Sequence, residues 1–317
     1  MRRLSAVVAV VALLLSGCAA IPAERDSSKP AKRAAEQADV DAIFSRYRAV
    51  RNAAIGLLDP KPLSTVESGP VLAIDSGSFE VSQRLSTTQD EESEQLVVTD
   101  VQTPSFAKYP LWFMATAYDP GGKVNRVQIF QRDSAVDPWL LVAAPQTVVT
   151  TELPALRHDG DGAALTVAAS SPTGMAMSPQ EAADAYARAL GSTTPSTEVA
   201  QDDFIRQMRD SFDANSSLEG VGVTQDWAAE KVVHALRTDD GGALVFLTLL
   251  RLDTYEVQPG VTVSWPAGSP QEAFLAEGIS SSGKLRYYHQ VLLYLPGGDG
   301  RPRALGQYGG VVGADGD

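Results

Sequence analysis

The side chains able to do acid–base, nucleophilic or metal chemistry are few in this chain and widely spaced. Three histidines, His158, His234 and His289, lie too far apart for two of them to share an i, i+3 or i, i+4 helical face, so a His-based metal site has no local scaffold. Asp159-Gly160-Asp161-Gly162 begins like a calcium loop, but Ser170 stands where the closing bidentate glutamate belongs, and a turn is the better reading. The tetrad S-x-x-K, in which a lysine activates a serine at the start of a helix, occurs at Ser105 with Lys108 and at Ser281 with Lys284. One serine follows a proline in a loop and the other adjoins Gly283 in a turn. No K-T-G or G-x-S-x-G accompanies them. A P-loop and a G-x-G-x-x-G at a strand-to-helix junction are also absent, so no catalytic residue, metal or cofactor is assigned.

One place merits attention as a ligand pocket. Residues 285–295 alternate as a strand does, putting Leu285, Tyr287, His289, Val291 and Leu293 on one face and Arg286, Tyr288, Gln290 and Leu292 on the other. If the first face lines a concave sheet, Tyr287 and His289 sit together in an apolar pocket. A histidine there serves as acid or base, or holds the polar end of a ligand. The plainer alternative is a core histidine bonded to backbone or water, and no acidic partner can be assigned to it.

Cys18 is the only cysteine, which excludes a disulfide, a thiol nucleophile elsewhere and a cysteine metal site. It closes a leader in which Arg2 and Arg3 precede an apolar run over residues 6–15, the order of a secretory signal peptide. Leu15-Ser16-Gly17-Cys18 resembles the lipobox of bacterial lipoproteins at every position: an aliphatic residue, a small one, Gly or Ala, then Cys. The resemblance implies cleavage between Gly17 and Cys18, a diacylglycerol on the Cys18 thiol, acylation of its amine by a chain such as palmitate, and residence on the extracytoplasmic face of the cell membrane. Each buried methylene contributes about 0.8 kcal/mol, so two or three acyl chains anchor durably. The leader itself is shorter than the roughly 20 apolar residues that span a bilayer.

The charge balance narrows the partners. The 317 residues carry 26 basic and 39 acidic side chains. Without Arg2 and Arg3 the mature chain stands at 24 − 39 = −15. That field opposes nucleic acid and makes acidity a solubility property first. At 44% hydrophobic residues, burial is sufficient to stabilise a fold without disulfides. Arginine outnumbers lysine 19 to 7, a bias of GC-rich genomes.

The elements that must position these residues fall into two units. Residues 1–17 are the signal peptide and 18–35 the lipidated cysteine with a flexible tether. The first α+β domain spans 36–151. Val40, Ile43, Phe44, Tyr47 and Val50 share one helical face, and Asp59-Pro60 ends that helix. From Pro70 onward strand-like segments are expected at 71–75, 79–88, 95–102, 111–118, 124–131 and 139–150, with the acidic run 90–94 as a solvated hairpin tip. Residues 152–177 read as a linker and 178–317 as a second α+β domain. Its first helix opens on Ser178 as N-cap, Pro179 in the first turn and Glu181 completing a capping box. A companion helix follows at 203–214, then strands at 232–237, 243–252, 261–264, 285–295 and 304–308, of which 243–250 is a buried central strand.

Both halves thus run from helix to hairpin-rich antiparallel sheet, an α+β architecture. With the closing strand Pro138-Trp139-Leu140-Leu141-Val142, this order resembles actinobacterial lipoproteins built from two tandem NTF2-like (cystatin-like, cone-shaped) domains. Such scaffolds serve as enzymes, binding modules and passive accessories alike, and the fold alone does not choose. The expectation is a non-enzymatic envelope module, held to the membrane by the lipid on Cys18, that binds an envelope protein or a small apolar ligand. The alternatives are a small-molecule enzyme using a cone pocket and the solute-binding subunit of a transporter.

Overall fold

The computed structural model describes residues 31–86 and 95–316. Cys18 with its leader, and the acidic run 90–94, lie outside the described residues. A two-residue strand β1 (Lys32–Arg33) precedes the first helix, α1 (Gln37–Leu57). The Glu36 N–H donates to Asp39 Oδ2 at 3.1 Å, and Leu58 closes α1 in the left-handed conformation just before Asp59-Pro60. A 3-10 turn over Lys61–Thr65 leads to α2 (Gly69–Arg84).

The helix α2 corrects the sequence expectation of strands at 71–75 and 79–88. Val71, Ile74, Asp75, Gly77, Phe79 and Ser82 are its buried residues, at helical and not alternating spacing, with Pro70 in its first turn. The β-formers Val71, Ile74 and Phe79, set among Gly69, Pro70 and Gly77, obscured that period. Tertiary packing overrides the local preference.

The first sheet then follows: β2 (Val97–Gln102), β3 (Ser105–Phe106), β4 (Leu111–Tyr118), β5 (Val124–Arg132), β6 (Leu140–Ala143) and β7 (Gln146–Val148). β3 pairs with β1, while the main sheet has the order β2-β4-β5-β6, with β7 also on β5. The segment expected at 139–150 is therefore two strands, parted at Ala144-Pro145. Residues 156–167 pair with the second half, Leu156 opposite Thr238 and Thr166 opposite Leu236.

The second half opens with α3 (Pro179–Leu190) and α4 (Asp203–Ser216). The capping box forms as read: the Glu181 N–H donates to Ser178 Oγ at 3.3 Å and the Ser178 N–H to Glu181 Oε2 at 2.8 Å. Next come β8 (Val221–Ala229), β9 (His234–Arg237), β10 (Ala243–Val257), the short α5 (Pro270–Phe274), β11 (Ser282–Leu295) and β12 (Arg303–Gly316). The sheet order is β12-β11-β10-β8, all antiparallel, with β9 also on β10. Three details differ from expectation. The strand expected at 232–237 starts at His234, the segment 261–264 makes only the bridge Val263–Ile279, and β12 runs on to Gly316.

Both sheets are covered on both faces. α1 and α2 pack Val40, Phe44, Tyr47 and Val71 onto Phe113, Phe130 and Leu141 of the first sheet. The reverse of that sheet meets the second one, with Trp112, Met114, Val127 and Ile129 against Leu236, Leu244, Phe246 and Leu292. α3 and α4 close the far side over Val245, Leu247, Leu249, Val291 and Leu293. Double coverage is why β10 opens as a nearly unbroken apolar run. The fold is α+β, with helices on the outside of two facing antiparallel sheets.

A buried ionic cluster locks the halves together. Arg51 of α1 bonds Glu67 at 3.1 Å and also Asp75 of α2. Tyr47 donates to Glu67 at 3.3 Å, and Tyr308, on β12, donates to Asp75. Glu67 and Asp75 are 0% and 3% exposed, so they have no solvent to fall back on. α2 can reach β12 because Gly77 has no side chain: a Cβ there would lie 2.2 Å from the Val311 carbonyl oxygen. Removing one partner from a buried ion pair typically costs about 3–5 kcal/mol. Arg51→Met should therefore lower unfolding stability by that order in urea titrations, and a midpoint equal to that of the unsubstituted chain would show that the cluster does not hold the fold.

Candidate functional site

The largest of the clefts described here opens where β7 of the first half faces α4 and the start of β12. It holds about 660 Å3 and is walled by Gln146, Thr147 and Val148 on one side and by Gln201, Phe204 and Gln307 among others on the opposite side. Its geometry is fixed by two local devices. Asp202, the N-cap of α4, accepts from the Ile205 N–H at 3.0 Å, from the Tyr186 hydroxyl of α3 at 2.8 Å, and from the Ala304 N–H of β12 at 2.7 Å. One carboxylate so joins the cap, the neighbouring helix and the strand. Burial and the Asp202 charge push the Tyr186 phenol upward, keeping it a donor. The second device is Gly306, where a Cβ would stand 2.1 Å from the Gln146 carbonyl oxygen. Only glycine permits that approach of β12 to β7.

Neither Tyr287 nor His289 lines this groove; His289 stands behind it, against Phe204. As the alternation of residues 285–295 requires, Tyr287 and His289 share a face of β11, with rings 6.1 Å apart and nearly parallel. His289 packs on Phe204 at 5.5 Å and Trp227 at 5.2 Å, and is only 7% exposed. Gln307 of β12 is the polar side chain that reaches toward its ring. Gly309 opposite leaves the ring its space, since a Cβ there would come 2.5 Å from Nδ1. Burial first, then the Arg251 charge, lowers the His289 pKa to about 3. The imidazole is neutral near pH 7.

The sequence did not point to Arg251, which organises this cluster. It is the cross-strand neighbour of both Trp227 and Tyr287, and its guanidinium lies over each ring, 5.6 Å and 4.4 Å from the centroids. Its Nε donates to Asp253 Oδ1 at 2.8 Å, which also accepts from Gln225 at 3.0 Å. Asp253, the carboxylate of this cluster, is thus engaged with Arg251 and Gln225. The arrangement can hold an uncharged imidazole against the back of the groove, with Phe204 and Gln307 common to both.

The other residues singled out by type are placed apart. His234 bonds Gln131 at 2.6 Å across the seam, stacks edge-on with Trp112, and borders a smaller cleft of about 220 Å3. Burial lowers its pKa to about 4. His158 is exposed and contacts Gln102 at 2.7 Å. Asp159 folds its own turn, Oδ1 accepting from the N–H groups of Asp161 and Ala163 at 2.9 and 2.8 Å. Ser105 lies in β3 and Ser281 just before β11, and neither begins a helix. Among the described residues no group of three or more His, Cys, Asp or Glu side chains is gathered to hold a metal. A further cleft of about 300 Å3 lies on the first half between α1 and the Pro138-Trp139 corner, over Tyr47 and Phe130.

The comparisons with known proteins bear on this geometry. Residues 31–316 match the family described as "Domain of unknown function (DUF8094)". The chain belongs to that family. It is 27% identical to an uncharacterised lipoprotein of Streptomyces avermitilis, over 87% of this chain and 85% of that one. It is also 27% identical to an uncharacterised lipoprotein of Streptomyces coelicolor, over 99% of this chain and 94% of that one. No solved structure matches it. Both sheets and the groove lie inside the DUF8094 span, and the second alignment is long enough to include Leu15 to Cys18.

The two buried histidines impose a pH dependence on this DUF8094 chain. They are neutral when folded but titrate near 6.5 when unfolded, so the unfolded state binds more protons below that value. Stability then falls as pH drops from 6.5 toward 4 for His234 and toward 3 for His289, each by about 1.4 kcal/mol per pH unit. Glu67 works against them: its carboxyl, raised to about 9 by burial, favours the folded state increasingly as pH falls toward 4.5. Urea midpoints between pH 6.5 and 5 should therefore decline less than two histidines alone would give, and His289→Leu should flatten the slope or turn it upward. A slope unchanged by His289→Leu would contradict the burial of that ring.

Proposed function

We propose that the protein is a lipid-anchored, extracytoplasmic envelope protein that acts as a binding module and not as an enzyme. The observation that carries the binding role is the groove between the halves: a concave site of about 660 Å3, within the range of small-molecule sites, whose walls come from both halves. The position of His289 supports binding over catalysis. Its nitrogens face no carboxylate partner, and its lowered pKa leaves it a weak base. The helix-then-sheet order of each half supports reading the chain as two tandem NTF2-like units, with the groove where they meet.

The anchor rests on Leu15-Ser16-Gly17-Cys18 and on the two Streptomyces relatives named lipoproteins. Among the described residues no helix is long and apolar enough to cross a membrane, so lipid on Cys18 would supply the attachment. The chain between Cys18 and Lys32 would then set how far the folded body stands from the bilayer. At roughly 3.3–3.6 Å per extended residue, it reaches on the order of 45–50 Å.

Metabolic labelling with an alkynyl palmitate, followed by detergent phase separation, tests the anchor. The unsubstituted chain should take up label and enter the detergent phase, whereas Cys18→Ser should lose both. A Cys18→Ser chain that remains in the detergent phase would remove the lipid from the account. Cross-linking in intact cells, with recovery of the lipidated protein, then tests whether a specific envelope component occupies it.

A further inference from the structure

We propose that the cleft between α1 and the Pro138-Trp139 corner takes a free, single-chain aliphatic carboxylate, a ligand of the fatty-acid class. This second site lies wholly in the first half and shares no residue with the groove between the halves. Its bottom is apolar by construction. Tyr47 commits its hydroxyl to the buried Glu67, which leaves the ring to face the cleft. Phe130 lies beside it, with ring centroids 5.7 Å apart, and stacks on Phe113, which meets Trp139 edge-on at 5.3 Å. Tyr47 and Phe130 are buried and close the floor, while Ile43, Pro138 and the half-buried Trp139 are the walls a ligand touches. At about 300 Å3 the cleft stands at the lower end of small-molecule sites, with room for one alkyl chain and not for a diacyl lipid.

The head group follows from the charges at the opening. Arg46 and Arg132 both border the cleft, and neither pairs with a carboxylate among the described residues. Arg46 donates to the Thr65 carbonyl at 2.7 Å, and Arg132 to the carbonyls of Ser134, at 3.0 Å, and Ala135. The chain has 39 acidic side chains against 26 basic ones, so two such arginines at one opening are a local reversal of sign. Asp137 is the third charged group of the lining, and it leaves the opening one unit positive.

A guanidinium with N–H donors to spare holds a carboxylate through charge-assisted hydrogen bonds, which are stronger than neutral ones. A cationic amphiphile would meet two like charges, and an uncharged one would gain nothing from either arginine. An aliphatic carboxylate uses both parts of the site, its chain on Ile43 and Trp139 and its head at Arg46 and Arg132.

The mature chain carrying Cys18→Ser would be titrated calorimetrically with octanoate, decanoate and laurate, and with dodecanol and dodecyltrimethylammonium as charge controls, all below their micelle concentrations. The carboxylates should bind, each two added methylenes tightening the complex about tenfold. Arg46→Gln should weaken laurate roughly tenfold, and Asp137→Asn should tighten it. Both positions are exposed, so the melting temperatures should stay close to that of the unsubstituted chain, which separates lost binding from lost folding. Laurate binding that neither substitution changes would overturn the site. Dodecanol binding as tightly as laurate would overturn the part given to the arginines. Dodecyltrimethylammonium binding more tightly than laurate, and weakening in Asp137→Asn, would overturn the carboxylate. Sedimentation with phosphatidylglycerol vesicles that Arg46→Gln abolishes, without laurate binding, would assign the arginines to a lipid head group and overturn the free acid. If no probe binds, the proposal fails and the reading of the groove between the halves still stands.

Discussion

One guanidinium between two carboxylates, all three shut away from water, is the constraint that the rest of the structure depends on. Arg51 cannot balance both Glu67 and Asp75 as full anions. Burial, with the Asp75 charge beside it, drives the Glu67 carboxyl upward, so the site retains a proton. Its value lies in what it joins. α1 brings Arg51 and Tyr47, the turn before α2 brings Glu67, α2 brings Asp75, and Tyr308 reaches in from β12. Buried ionic groups contribute little net stability against apolar replacements, but they punish any arrangement that leaves one unpaired. Here that penalty falls on any displacement of β12 from the helices of the first half.

The position of β12 in turn decides what the seam can be. Its glycines are spaced so that different neighbours approach it in turn: β7 backbone at Gly306, the His289 ring at Gly309, and the Arg286 guanidinium at Gly313. Glycine in a strand interior weakens it through entropy and lost packing. The strand is held because β11 pairs along it, α2 covers it and Tyr308 ties it to Asp75. Gln290 adds to the seam by using both ends of its amide, accepting from the Ala144 N–H and donating to the Val142 carbonyl, each at 2.9 Å. The groove lies where β7 faces α4 and the start of β12.

Those features were unequally legible in the amino-acid sequence. The Ser178–Glu181 cap was readable because a capping box is local chemistry, and β4, whose bounds match the expected 111–118, because turn signals flank it. The pairing of Tyr287 with His289 followed from period-two alternation alone. Arg251 did not follow, because its contacts with Trp227 and Tyr287 come from strand register, which depends on hairpin geometry across long connections. α2 was lost for the opposite reason: its residues prefer strands locally, and its partner β12 stands more than two hundred residues later in the chain. The Gly306, Gly309, Gly310 and Gly313 spacing was a visible sign of close approach, but it did not say what approaches.

The meaning of a buried polar atom without a partner is decided by its surroundings. Gln128 is fully buried with both amide atoms unpartnered, and it faces Ala115 across the first sheet. It does not line the groove, so its missing bonds are a cost of the core, offset by burial around it. Thr147 Oγ1, behind the wall of the groove, has the same kind of deficit and is likewise shut off from solvent. The Arg51 cluster fixes β12, and Asp202 ties α4 to it, so the walls of the groove are held in place. Preorganisation of this kind lowers the entropic cost of binding, because the polar groups are already held where a ligand would meet them. The groove lies where the two halves meet, so the seam that closes the fold is also the place where recognition can begin.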